Sequence, residues 1–311
     1  MSINPTRSRR RLCGARLVAV LALVLAPVSG HPSAVAGGPT LTTQAADPQA
    51  AVAPTLATVA APSAYDKAVL TDKPVGFWHN ARGTDLVGGR NASRIGRPGT
   101  ARLPNGDTAA RFDGTRRYLE VADHDRWSPA TTGVLTIEAW VRPSTLHFTN
   151  GEPEDDCYVH WLGKGAKNQH EWTLRMYSDV TPCEKPQRPN RTSVYAFNLS
   201  GSKGTGAYFQ GGLNKVPVMK AGQWVHVVGV INSKKKGGDY PNGYVRIFRN
   251  GRLVNTRDLS STVPITLGNG SAPLRIGTRD FASFFQGSIG KVALYDYEVA
   301  SKRLLAHYKA M

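Results

Sequence analysis

The segment at residues 135–143, LTIEAWVRP, sets the terms for everything around it. Ile137, Ala139 and Val141 alternate with Thr136, Glu138 and Trp140. A period of two sends the two sets to opposite faces of a pleated strand. Trp140 stands on the otherwise polar face, so that face is expected to be partly covered. Pro143 ends the strand, because proline has no N–H to give to a ladder. The same pattern recurs after it, in YVHWLGKG at 158–165, WTLRMY at 172–177, VYAFNL at 194–199, QWVHVVGV at 223–230 and GSIGKVALYD at 287–296. Between GYVRIFR and RLVN lies Asn250-Gly251. That dipeptide between alternating runs is the strongest local hairpin cue, since both turn residues take positive φ. Helix is expected only near residues 65–70 and 300–307. More than ten short strands with so little helix predict an all-β, two-sheet antiparallel sandwich.

The start of the chain has a different grammar. Five arginines (Arg7, Arg9, Arg10, Arg11 and Arg16) precede or flank an apolar run of about ten residues at 17–26, too short to span a bilayer. Ala34-Val35-Ala36 supplies a cleavage site, with Val28-Ser29-Gly30 as the alternative. Residues 1–36 are therefore expected to be a signal peptide, for the general export route or, given the paired arginines, the twin-arginine route. Residues 37–63 are rich in Ala, Pro and Thr and suggest a flexible linker. One folded domain at 64–311 follows, and the protein is expected to be secreted. Cys13 leaves with the signal. The remaining pair, Cys157 and Cys183, predicts a disulfide in an exported chain, closing a loop of about 26 residues and contributing roughly 3 kcal/mol.

The formal charge is +17, five of it in the first 36 residues. The remainder is diffuse, with its densest run at Lys234-Lys235-Lys236. This suits a soluble basic surface or attraction to acidic glycans. A nucleic-acid partner is not expected, as no recognition motif is present, and no later segment is apolar enough to be a transmembrane span.

Several segments, in order, resemble a known family: FDG at 112–114 with YLEV at 118–121, then 135–143, GQWVHV at 222–227, FRNG at 248–251, LRIG at 274–277 and FQGSIGKVALY at 285–295. Their order and spacing are similar to the laminin-G-like, concanavalin A-like jelly-roll domains of secreted bacterial proteins, and PVGFW at 74–78 looks like that family's opening. The resemblance covers the whole folded region. It implies a jelly roll that binds carbohydrate or a protein ligand, commonly with a structural Ca2+. It also leaves open a carbohydrate-active enzyme, because the superfamily includes glycan-cleaving members and fold alone does not separate them.

The catalytic readings find little to stand on. A glycoside hydrolase needs two carboxylates at a set separation. No E-x-D-x-x-E strand is present, and Glu138 is a lone strand carboxylate. A polysaccharide lyase needs a Tyr or His base and a group that neutralises the substrate carboxylate. His160, His226, Tyr177, Tyr195 and Arg175 are available, but not on the Q-I-H strand such lyases carry. The expected function is a secreted, non-catalytic module, monomeric, whose partner is an extracellular glycan or a surface protein. Its candidate ligand-binding residues are Trp161, Trp172, Arg175, Tyr177, Tyr195 and Asn198, with Tyr208 near them. Aromatic rings suit the apolar faces of sugars, but each of these rings equally suits a core. Trp140 and Trp224 are assigned to the core. For calcium, Asp113, Asp123 and Asp125 bracket one strand. The same aspartates serve as well as turn formers through Asx hydrogen bonds, and the family resemblance tips the choice to metal.

Overall fold

The computed structural model describes residues 61–148, 158–178, 191–211 and 216–311. The expected signal peptide, most of the linker, Cys157 and Cys183 lie outside them. The described residues fall within one compact unit, Val59–Met311.

Helix α1, Ala64–Thr71, opens the fold. Ser63 caps it: its Oγ accepts from Asp66 N–H, and the Asp66 carboxylate accepts from Ser63 N–H. This reciprocal arrangement satisfies two donors that a helix start leaves free. Strands β1 (Gly76–Trp78), β2 (Ser93–Ile95), β3 (Gly99–Arg102), β4 (Thr108–Asp113) and β5 (Tyr118–Val121) follow. A 3-10 turn, Asp125–Trp127, and the short helix α2, Pro129–Thr132, lead into β6, Val134–Pro143. Then come β7 (Tyr158–Lys164), β8 (Trp172–Tyr177), β9 (Thr192–Phe197), β10 (Gly204–Phe209), β11 (Val225–Asn232), β12 (Tyr244–Arg249), β13 (Arg252–Asp258), β14 (Leu274–Ile276) and β15 (Gln286–Tyr295). Helix α3, Ser301–Lys309, closes the chain.

The strands make two antiparallel sheets. The first runs β13-β12-β11-β6-β15-β4-β3, with β1 also paired to β15. The second runs β10-β9-β8-β7-β14-β5-β2. Strand β6 sits mid-sheet between β11 and β15, with Ile137 opposite Gly229 and Leu294. This is the jelly-roll sandwich expected. The Asn250-Gly251 hairpin is present, with φ of 51° and 74° at the two turn residues.

The core lies between the sheets. From the first it takes Leu135, Ile137, Ala139, Val141, Val227, Ile231, Val245 and Ile247; from the second Val159, Trp161, Leu162, Trp172, Leu174, Met176 and Val194. Each such side chain contributes about 1.5–3 kcal/mol by leaving water. The sheets come so close that a Cβ on Gly229 would lie 2.7 Å from Val194 Cγ2.

The outer faces of the two sheets differ. Helices α1 and α3 cover the first, where Tyr65, Val69 and Leu304 pack on Trp140, Val228, Val230 and Phe248. Trp140 stacks on Tyr308 at 5.8 Å, so it is covered as the sequence led us to expect. Trp224 is only partly buried, holding Arg142 over its ring and donating to Arg102 O.

Beneath the helices lies a polar cluster. Glu138 is fully buried and accepts hydrogen bonds from Tyr65 Oη at 2.7 Å and Tyr295 Oη at 3.1 Å. His226 Nε2 lies 2.8 Å and His307 Nδ1 3.0 Å from the same carboxylate. His307 Nε2 reaches Asp72 at 2.7 Å. Alongside, Lys291, buried at the β15 bulge, pairs with Asp66 at 2.5 Å and Asp107 at 2.7 Å. These groups tie both terminal helices to the sheet. The lone strand carboxylate is therefore a structural anchor, and His226 is structural with it.

Candidate functional site

No described helix covers the outer face of the second sheet. The pleat places Tyr158 and His160 of β7, Thr173, Arg175 and Tyr177 of β8, Ser193, Tyr195 and Phe197 of β9 and Tyr208 of β10 on that face, in register across neighbouring strands. The reason is visible in the strand patterns: Leu174, Met176, Val194 and Ala196 point to the core, so their neighbours point out.

Arg175 is the centre of the group. Its guanidinium carbon lies 3.7 Å from the ring centroid of Tyr195, 4.2 Å from Tyr158 and 5.1 Å from Tyr177. The residue is only 7% exposed. Its Nε has no hydrogen-bond partner, and no carboxylate pairs with it among the described residues. Burial works against the charge, but the phenols of Tyr177, Tyr195 and Tyr158 outweigh it and hold the pKa above the ordinary arginine value. At neutral pH the rings act through their negative π faces, each worth up to about 2 kcal/mol when desolvated.

Beside this cage, Tyr195 and Phe197 stack at 5.7 Å with planes 21° apart. They lie flat because β10 opposes them with glycine: a Cβ on Gly206 would come within 2.5 Å of the Tyr195 ring, and one on Gly204 within 2.5 Å of Phe197. Farther along, Arg191 sits 3.8 Å over Tyr208.

On the other side, the loop at 277–285 closes against β7. Ser283 Oγ accepts from His160 N–H at 3.1 Å, and His160 Nδ1 lies 2.9 Å from Thr173 Oγ1. Burial, then Arg279, Arg175 and His170, push the His160 pKa well down, so this imidazole is neutral. Arg279 pairs with Asp280, its neighbour in sequence. Phe281, 48% exposed and at φ 69°, stacks with Phe284 at 6.2 Å and meets Tyr118 at 5.4 Å. Positive φ in a phenylalanine is strained and persists only where its surroundings hold it. Here Arg275 lies 4.2 Å over the ring. Tyr118 is three strands from Arg175 in the sheet order, about 14 Å by inter-strand spacing.

Of the six residues expected to bind ligand, the structure brings together Arg175, Tyr177 and Tyr195. Trp161 and Trp172 are fully buried between the sheets, and Trp172 Nε1 donates to Trp127 O. Asn198 holds the β9–β10 turn, donating to Ser202 Oγ and accepting from Lys203 N–H. Tyr158, Phe197, Arg191, Arg279 and Phe281 were missed. Counting parity from Val159 and Val194 would have found the first two.

The three aspartates do not fit a shared calcium site. Asp113 Oδ1 accepts from the N–H groups of Thr115, Arg116 and Arg117, an Asx turn. Burial alone would raise its pKa, but those backbone donors push it down to about 2. Asp123 pairs with the buried Lys164 at 2.8 Å, and Asp125 accepts from Asn269 at 2.8 Å. Among the described residues, no group of three or more His, Cys, Asp or Glu is placed to hold a metal ion.

Residues 113–303 match the Laminin_G_3 family, described as the concanavalin A-like lectin/glucanases superfamily, and the chain belongs to it. Two solved neurotoxin domains agree on the fold. The receptor-binding domain of the botulinum neurotoxin C/D mosaic serotype matches with a TM-score of 0.53 and 13% identity, over 76% of this chain and 51% of that one. The botulinum neurotoxin DC binding domain in complex with rat synaptotagmin II matches at 0.53 and 13%, over 77% and 52%. Domain 4 of an extracellular arabinanase from Geobacillus stearothermophilus, in complex with arabinotriose, gives 0.48 and 13%, over 76% and 98%. The chain thus spans about half the length of the neurotoxin domains it matches. No curated protein matches its sequence. Among the described residues, no helix is long and apolar enough to cross a membrane.

Proposed function

We propose that this chain is an exported, non-catalytic module that binds glycan on the outer face of its second sheet, with a preference for acidic polymers. The observation that carries the proposal is Arg175: a buried guanidinium, ringed by three tyrosines and without a carboxylate partner among the described residues. A charge so placed gains from an anionic ligand what its surroundings lack. The Tyr195–Phe197 stack beside it offers an apolar surface for a pyranose ring. The likeness of fold does not choose a ligand; the side chains on this face do. An export leader at 1–36 and a spacer at 37–63 belong to the same reading.

The test is retention of the full chain on immobilised polygalacturonate and on a neutral galactan. Polygalacturonate should retain it and Arg175→Gln should abolish that retention. Equal retention of both polymers by wild type and variant would overturn the proposal.

A second reading, eliminative cleavage of an acidic glycan, has one observation in its favour. A guanidinium that could neutralise a uronate carboxylate stands within reach of three phenols and the neutral His160. Tyrosine or histidine can then act as the base. Ultraviolet absorbance of unsaturated products in the same incubation separates it from binding alone.

A further inference from the structure

A cavity of about 440 Å³ opens where the β12–β13 turn meets α3, away from the face described above. Leu253, Val254 and the Tyr308 ring give it an apolar wall; Arg249, Asn250 and Arg252 give it a polar one. None of its described lining residues is acidic. Arg249 is 7% exposed. Its Nη1 donates to Pro217 O, while its Nε is buried without a partner. No ion pair reaches it among the described residues. Burial drags its pKa down, against a smaller upward pull from Tyr308. Arg252 lies directly opposite Arg249 in the β12–β13 register. Like charges facing each other across paired strands are destabilising, and an anion between them reverses the sign of that contact.

We propose that this cavity binds a small carboxylate carried on a flat, partly apolar ring, with Arg249 as its receptor. With Nη1 committed to Pro217 and Nε buried, Nη2 is the guanidinium nitrogen left for a carboxylate oxygen, in a charge-assisted hydrogen bond. Arg252, exposed at the rim, adds a second charge. The volume lies at the lower end of small-molecule pockets, which suits one ring and not a polymer. This site does not depend on the reading of the Arg175 face.

The experiment is calorimetric titration of the full chain with benzoate, beside its neutral counterpart benzamide. Benzoate should bind at least tenfold more tightly than benzamide. Arg249→Gln should weaken binding at least tenfold. Leu253→Trp, at an exposed wall position, should block binding while the melting temperature holds. Arg175→Gln should leave it unchanged. The proposal is overturned by no binding of benzoate, by equal binding of benzamide, or by binding lost in Arg175→Gln and kept in both Arg249→Gln and Leu253→Trp.

Discussion

Two buried charges of opposite kind show how single residues divide the work of this chain. Glu138 is surrounded by donors, and its pKa is pulled below the usual carboxylate range: burial opposes this, but His226 and His307 prevail. Arg175 has aromatic faces around it and no acid among the described residues. The first is satisfied within the fold, and the second is not. Replacing Glu138 by Gln should therefore act on stability, by about 3–5 kcal/mol, because it leaves a buried histidine without its counter-charge. Denaturant titration measures this. Replacing Arg175 by Gln removes three ring contacts, so it should lower the melting temperature as well as remove glycan retention in the variant that is still folded at about 25 °C. A Tyr195→Ala change, which takes away both cage wall and stacking surface, should weaken retention about tenfold by loss of stacking and cation–π contact.

At the scale of elements, α3 is latched through His307. Burial lowers its pKa, but the hydrogen bond and charge of Glu138, with Asp72, outweigh it and the net shift is upward. A group whose folded pKa is raised stabilises the fold fully below its unfolded value, near 6.5, and loses that contribution as pH rises through the folded value. Glu138 has the opposite sign: its contribution is present above about 4.5 and is lost as pH falls through its depressed folded value. Melting temperature should accordingly decline above neutral pH in wild type, and His307→Asn should flatten that alkaline decline. An unchanged slope in the variant would remove His307 from the account.

The strands behind this latch were legible because their alternation is strict. The sequence of β6 gives both faces correctly; the same logic applied to W-x-L-x-M in β8 puts Trp172 in the core, against its place among the ligand candidates. Strand β7 was harder, since the bulge between His160 and Leu162 turns Trp161 and Leu162 both inward. Strand β10 was not foreseen: Gly204 and Gly206 weaken any strand pattern, and their purpose, room for the Tyr195 and Phe197 rings, is apparent only across the sheet. The site was legible in part for a related reason. Parity says which side chains share a face, but it does not say that α1 and α3 cover one outer face and no described helix covers the other. Nor does a local reading of Asp113 show its Asx turn; the three backbone N–H groups that donate to its Oδ1 are visible only in the fold.

The molecule as a whole is basic, with a formal charge of +17. Long-range attraction should bring an anionic polymer to it, and the Arg175 face should supply the specific contact. The two contributions separate with salt, because the Debye length shrinks from about 10 Å at 0.1 M to about 3 Å at 1 M. Retention on an acidic polymer should fall with salt, while the gap between wild type and Arg175→Gln persists, since a buried contact is screened less than an exposed one.

The most direct measurement is the affinity of the full chain for a polygalacturonate oligomer, taken beside the matching neutral galactan oligomer, for wild type and for Arg175→Gln, both held well below their melting temperatures. The account predicts binding of the acidic oligomer at least tenfold above the neutral one in wild type, and loss of that preference in the variant. A variant that keeps the wild-type preference would contradict it and move glycan recognition off this face.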